Sequence, residues 1–432
     1  MCRRCPSSSV RILLRLGLPL ALAAILLLLG LGLVAAQGPT RLTRITISSE
    51  PSSRYSEDAS LSDDGTRIAF TSDSDFLGQG ILDDQWVIWL HDTATMTFTR
   101  VTSGVRDSTS PALSGDGTRV AFHSDNDFLG QGIPQYQYEI WLYDIATKQI
   151  TRLTTAAGPG DRASFGASAD ADGTRVAFQS DSDFLGQSIP DNQFEIWLYD
   201  TATMTVTRVT NSGTDRDSRS PSISADGTKI ALHSNGDFLS QGIPANQSEI
   251  WLYDTAAMTV TRITTASHPD RDSYNPSISS DGTRIAFRSD SDFLGQGAVD
   301  DEVWLYDTTT MAVTRITTAW PPGRGSYNPS ISGDGTRIAF ESGSDFLGQG
   351  IPQYQYEIWL YDTATMTVTR VTTASAEDHD SEDASLNRDG SKIAFASDSD
   401  FLSQGIQAGQ DEIWVWEYLP RVYLPVVLRS GG

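Results

Sequence analysis

One sentence is written seven times along this chain: Ser-x-Asp-Gly-Thr-Arg-Ile-Ala-Phe, then Ser-Asp-Ser-Asp-Phe-Leu-Gly-Gln-Gly, then Glu-Ile-Trp-Leu-Tyr-Asp-Thr, then Val-Thr-Arg-Ile-Thr, with small variations. The Asp-Gly pairs begin at Asp64, Asp116, Asp172, Asp226, Asp281, Asp334 and Asp389, so successive spacings are 52, 56, 54, 55, 53 and 55 residues. A unit of this length holds four short strand patterns and cannot bury its own faces. Copies must therefore stack, and a closed ring of four-stranded antiparallel blades is the usual solution. The expected fold is all-β: a seven-bladed β-propeller.

The four strands of a repeat are lettered A to D. In the fifth repeat, Asn275 to Ser279 belongs to A, Arg284 to Phe287 to B, Val303 to Tyr306 to C, and Val313 to Ile316 to D, with Asp281-Gly282 as the A-to-B hairpin turn. Strand C is apolar on both of its alternating faces, as a strand sandwiched between neighbouring blades would be. Trp89, Trp141, Trp197, Trp251, Trp304, Trp359 and Trp414 share one register in it and are assigned to packing. An orphan strand D, Leu42 to Thr46, precedes the first A, whereas the seventh repeat reaches strand C at Glu412 to Glu417 and has no D of its own. The N-terminal strand is expected to complete the seventh blade and so remove the exposed edges.

Residues 1–36 are different. Arg3, Arg4, Arg11 and Arg15 lead into an apolar run, Leu16 to Val34, and Val34-Ala35-Ala36 offers small residues for cleavage. This reads as a signal peptide, with an uncleaved N-terminal membrane anchor as the alternative, and it predicts a secreted or cell-envelope, extracytoplasmic protein. The propeller is placed at 37–417 and a short C-terminal tail at 418–432. Cys2 and Cys5 are the only cysteines, so the ring has no disulfide. Beyond residue 36 there are 27 basic against 55 acidic residues, a net charge of −28. Such a body is a poor partner for nucleic acid or anionic lipid, so membrane contact is expected only through the anchor. A monomer is expected.

Ser-x-Asp-Gly-x-x-Ile-Ala-Phe-x-Ser followed by an Ile-Trp-Leu-Tyr-Asp strand resembles the WD-like repeat of the TolB-type β-propellers, from about Arg41 to Glu417. The resemblance implies the fold and little about chemistry, since such propellers include periplasmic scaffolds, peptidase accessory domains and lyases. The chain departs from the family in its B-to-C connection, which is a dozen residues long.

Those B-to-C loops and the D-to-A loops emerge on one face, which becomes the expected binding surface. The D-to-A loops carry Arg54, Arg106, Arg162, Arg216, Arg271 and Arg324, with His379 in the seventh blade; the B-to-C loops open with Asp75, Asp127, Asp183, Asp237, Asp292, Asp345 and Asp400. Guanidinium–carboxylate pairs that pin the loops are expected, with an anion-binding arginine ring as the other reading. The loop tips Trp86, Tyr136, Tyr138, Phe194, Tyr354 and Tyr356 offer aromatic rings to a protein or glycan ligand, or pack on their own blades. Asp73 with Asp75, and Asp125 with Asp127, are weak calcium candidates; an EF-hand is excluded because its ligand positions are not filled. His123 and His233 share a variable register in strand B that elsewhere holds Thr71, Gln179, Arg288, Glu341 and Ala396.

No serine-nucleophile elbow, zinc-protease signature or phosphate loop occurs, and no catalytic residue is assigned. Phe128 to Asp144 is identical to Phe346 to Asp362, which reflects copying within the chain, so the informative positions are the unlike ones. The expected function is an exported, non-catalytic scaffold that binds a protein or glycan and needs no cofactor. The alternative is a polysaccharide hydrolase or lyase using Glu341 and the Asp-x-Asp sets.

Overall fold

A computed structural model describes residues 40–48, 54–156, 162–298, 300–374, 379–407 and 409–419. The signal or anchor segment and nearly all of the C-terminal tail lie outside them. Twenty-eight strands among the described residues form seven four-stranded antiparallel sheets. The first blade is β2 (Ser56–Leu61), β3 (Arg67–Ser72), β4 (Val87–Asp92) and β5 (Thr97–Arg100), which are its strands A, B, C and D in spatial order. The next five blades repeat this order. The seventh is β26 (Ser381–Leu386), β27 (Lys392–Ser397) and β28 (Glu412–Tyr418), and its outer strand is β1 (Thr40–Arg44) from the other end of the chain.

β1 earns its place residue by residue. In blades 2 to 6 the glutamate that opens strand C is fully buried and takes an arginine and a threonine from strand D, as Glu139 takes Arg152 (2.6 Å) and Thr154 (2.5 Å). In blade 7, Glu412 takes Arg44 (2.6 Å) and Thr46, both from the N-terminal segment. Blade 1 departs from the pattern: Val87 stands where the glutamate would be, and Arg100 donates instead to the carbonyl of Thr102 (2.7 Å).

Strands A of successive blades contact each other all the way round, β26 with β2 included, so they line the central channel. On the short-turn face the A-to-B turns form a closed circle of main-chain bonds, each turn bonding the next. It starts with Asp63 N to Gly115 O (2.7 Å) and Asp116 N to Ala171 O (2.7 Å), and ends with Arg388 N to Asp63 O (3.0 Å). A glycine at positive φ in each turn makes the approach possible: a Cβ on Gly65 would stand 2.7 Å from Lys392, whose ammonium donates to the Gly65 carbonyl (2.8 Å) across the closing seam.

Between blades the seven tryptophans are fully buried. A phenylalanine from each B-to-C loop stands edge-on to its tryptophan, from Phe238–Trp251 at 4.8 Å to Phe76–Trp89 at 5.1 Å between centroids. The long loop is thus anchored by the core that its own blade builds.

Candidate binding site at the mouth of the central channel

Each D-to-A arginine reaches the B-to-C loop of its own blade and bonds main-chain carbonyls there. Three of the six pair with a loop carboxylate as well: Arg54 with Asp83 (2.6 Å), Arg162 with Asp191 and Arg271 with Asp290. Arg106 donates to Asp125 O (2.8 Å) and Ile133 O (3.1 Å), Arg216 to Asn235 O and Ile243 O (3.0 Å), and Arg324 to Gly343 O (3.0 Å) and Ile351 O (2.8 Å). Arg162 does the same with Asp181 O, Pro190 O and Ile189 O, and it also pairs with Asp191. Arg271 bonds both the carbonyl and the carboxylate of Asp290. In blade 7, His379 Nδ1 meets Asp398 O at 2.9 Å. Carbonyls serve because the loop curls around the guanidinium and presents its main chain to the five donors of the fork. The six arginines thus pin the long loops, with carbonyls as their main acceptors. Lysine cannot bridge two carbonyls this way, so Arg216→Lys should speed amide exchange across 237–247 by roughly tenfold while leaving the global midpoint nearly unchanged. Hydrogen exchange read by mass spectrometry measures it.

The calcium candidates are also committed. Asp75 accepts from Gln79 N (2.8 Å) and Gly80 N (2.7 Å), and Asp127 from Gln131 N and Gly132 N (both 2.7 Å), which closes the Phe-Leu-Gly-Gln-Gly turns. Asp73 caps Tyr55 N and Asp125 caps Tyr136 N, each at 2.8 Å. Among the described residues no group of three or more His, Cys, Asp or Glu is arranged to hold a metal ion.

What remains is the opening where the inner strands meet the long loops. The third residue of every strand A sits in a bulge at positive φ: Asp58, Ser110, Gly166, Ser220, Asn275, Asn328 and Asp383, with φ from 44° to 59°. The ladder slips there in all seven blades, as between Glu57 and Ser60. Short polar side chains and glycine are the residues that tolerate this conformation. The residue before the bulge, its strand B neighbour and the residue before strand C complete one set per blade. These sets vary around the ring, although blades 1 and 7 share Glu-Asp before and at the bulge (Glu57-Asp58, Glu382-Asp383) and blades 5 and 6 share Tyr-Asn (Tyr274-Asn275, Tyr327-Asn328).

Blades 2 to 6 carry a belt of rings and cations. His123 lies against Tyr138 and Phe165 (5.7 and 5.2 Å), Tyr138 against Phe165 (5.2 Å), and Phe165 against Phe194 (6.1 Å). Arg219 stacks 4.2 Å above Phe194 and pairs with Asp217 (3.2 Å). Arg288 stands between Tyr274 and Tyr327, 5.1 and 5.2 Å from their centroids, with Asp301 at 3.5 Å. Tyr327 in turn meets Tyr356 (5.8 Å). Burial pushes the His123 imidazole down to about 4, and burial with Arg219 and Arg288 pushes His233 down to about 3, so both rings are neutral.

Blades 6, 7 and 1 carry acids. Burial first, and then the charges of neighbouring acids (Asp383 for Glu341, Asp58 for Glu57 and Asp383, Asp398 for Asp411), raises Glu341 to about 8, and Glu57, Asp383 and Asp411 to about 7. Asp58 and Glu382 are raised as well, by burial first. Glu341 accepts from Asn328 Nδ2 (2.8 Å) and more distantly from Asp383 N (3.4 Å), and Asp58 accepts from Ser110 N (3.2 Å) across the blade seam. In a ring of seven, blade 1 faces the seam of blades 4 and 5, so Glu57 and Asp58 lie across the mouth from the arginine arc, whereas Glu341 borders that arc and pairs in register with Tyr327.

Of the aromatic residues read from sequence, Tyr138, Phe194 and Tyr356 belong to the belt, and Trp86 lies near Tyr55 (6.3 Å). Tyr136 and Tyr354 are outside it and 70% and 78% exposed. The positions flanking the bulge, with Glu57, Phe165, Arg219, Tyr274, Tyr327 and Glu382, escaped the sequence reading. A blade-by-blade comparison of strand A carries their signal.

No family model matches the chain, and no curated protein matches it. Solved structures do. The oligogalacturonate lyase of Vibrio parahaemolyticus aligns with 90% of this chain and 100% of its own, at 15% identity and TM-score 0.58. The β-propeller domain of the trilobed protease from Pyrococcus furiosus aligns with 89% and 100%, at 13% identity and TM-score 0.55. TolB from Acinetobacter baumannii aligns with 71% of this chain and 64% of its own, at 20% identity and TM-score 0.45. At these identities the likeness is one of fold.

Proposed function

We propose that this protein is an extracytoplasmic binding module, without catalysis of its own, that engages a protein or glycan ligand at the channel mouth on its long-loop face. One observation carries the reading. At the strand A and strand B positions that meet at the mouth, blades 2 to 5 carry Thr109 with His123, Phe165 with Gln179, Arg219 with His233 and Tyr274 with Arg288, so unlike groups are gathered at one opening, and ligand recognition needs unlike groups. Half-buried aromatic rings beside hydrogen-bonding groups are the usual content of such interfaces. The arginine-led apolar segment of residues 1–36 supports export.

The test is an array of peptides and glycans probed with the chain lacking residues 1–36. Once a ligand is found, Phe194→Ala and Tyr356→Ala should each weaken binding by roughly tenfold, with unchanged thermal midpoints. Tyr136→Ala and Tyr354→Ala report whether the exposed tips take part. Full binding by both mouth variants, with loss on replacing Met258 and Met311 on the opposite face, overturns the reading.

A second reading, a polysaccharide hydrolase or lyase, draws on Glu341. A carboxyl titrating at about 8 holds its proton at neutral pH and suits a general acid. Release of unsaturated or reducing ends from a polysaccharide panel by the native chain, and not by Glu341→Gln, would favour it.

A further inference from the structure

We propose that the arginine arc of the mouth is a receptor for a carboxylate carried by a polypeptide that also brings a positive charge to the acid arc. This rests on the mouth being the binding site.

The arc is built from Arg219, His233, Tyr274, Arg288 and Tyr327, with Phe194 beneath Arg219. Arg288 is held in place without being used up. Its guanidinium is flanked by two tyrosine rings, its Nε is buried with no hydrogen-bond partner, and the acid near it, Asp301, lies 3.5 Å from that nitrogen. Arg219 is likewise fixed on a ring, with one carboxylate contact at 3.2 Å. Between them His233 stands edge-on to Tyr274 (5.2 Å), and its Nδ1 is buried without a partner. Planar forks clamped on apolar rings are pre-organised for a planar, two-oxygen anion, and the rings keep water away from the contact.

The acid arc decides what kind of carboxylate. Glu57, Glu341 and Asp383 feel the charges of one another or of Asp58 and Glu382, and Asp380 and Asp398 add the strongest charges felt by Glu382 and Asp411. A polyanionic glycan reaching for the arginines would meet that arc and the −28 charge of the whole body. A polypeptide with both signs satisfies both arcs.

The probes are blocked peptides with one lysine and one glutamate separated by one to four alanines, the matching set with glutamine in place of the glutamate, and trigalacturonate. At least one glutamate peptide should bind about tenfold tighter than its glutamine twin, as a charge-assisted bidentate contact predicts. Arg288→Met, which keeps the stem between the tyrosines, should remove that difference, and Arg288→Lys should restore part of it. The carboxylate would offset the two guanidinium charges beside His233, so the imidazole pKa, read by NMR, should rise on binding.

Equal binding of the two peptide sets, tighter binding of trigalacturonate than of any peptide, or no peptide binding at millimolar concentration overturns the proposal. If peptides bind and Phe194→Ala and Glu341→Gln weaken them while the Arg288 variants do not, only the carboxylate receptor falls. If all of these variants bind alike, the mouth falls with it.

Discussion

Deleting residues 41–48 should lower the thermal midpoint by on the order of 5–10 °C and do so in one cooperative transition. The segment contains β1 from Arg41 onward, and without it Glu412, fully buried in the intact ring, loses Arg44, Thr46 and the Ser48 amide (3.0 Å). Removing the partner of a buried charge costs about 3–5 kcal/mol, and the bare edge of β28 adds the loss of its ladder. The circle of turn bonds, the Leu61 N to Ser385 Oγ bond (3.1 Å) and the Lys392 contact still bridge blades 7 and 1 on the inner side. The truncated ring should therefore remain folded at room temperature but dimerise through the open edge. Two variants probe the pair: Arg44→Ala strands the Glu412 charge, and Glu412→Gln keeps the shape but strands the Arg44 charge, which is 6% exposed, so each should lower the midpoint. Calorimetry and size-exclusion chromatography read all three, and an unchanged midpoint for the truncated chain would sink the closure account.

The second large effect is a stability that rises as the solution is made less alkaline. Glu341 titrates at about 8 in the fold against an ordinary 4.5, and Glu57, Asp383 and Asp411 at about 7. The folded state therefore binds protons more tightly than the unfolded chain. The stability these groups contribute is fully present below their ordinary carboxylate values and is lost as pH rises through 7 to 8. His123 and His233 work the other way. Their folded values of about 4 and about 3 lie below 6.5, so the stability of holding them neutral is present above 6.5 and lost as pH falls further. Between pH 8 and 6.5 only the carboxylates act, and the midpoint should climb; below 6.5 the histidines flatten the rise. Glu341→Gln removes the largest acid contribution, on the order of 3–5 kcal/mol at pH 8, so it should stabilise the protein there and weaken the pH dependence. Thermal midpoints for both proteins at pH 5, 6.5 and 8 check it, and a native midpoint that falls from pH 8 to 6.5 would contradict the acid arc.

Both results turn on how much of the molecule local chemistry specifies. The repeat period, the Asp-Gly turns, the doubly apolar strand C and the missing last strand D were sufficient for the seven blades and their closure. Each is a short-range pattern whose consequence is forced by the need to bury faces and edges. The tryptophan register predicted packing for the same reason. The loop arginines were legible as pins, but their acceptors were not, because whether a guanidinium meets a carboxylate or a carbonyl depends on how the loop curls. Asp75 and Asp127, weak calcium candidates in the sequence, accept the main-chain bonds of the turns that they themselves close.

The candidate site divides along the same line. The variable register of strand B, with His123, His233, Arg288 and Glu341, stood out in the sequence as a departure from copying. Only the tertiary structure joined it to the bulged residues of strand A and to the aromatic residues before strand C, since these lie far apart along the repeat and meet through pairing register and ring closure. The placing of the blade 1 acids across from the arginine arc is likewise a property of the circle. Charges that fall in separate blades along the chain become facing walls only once the seventh blade is shut against the first.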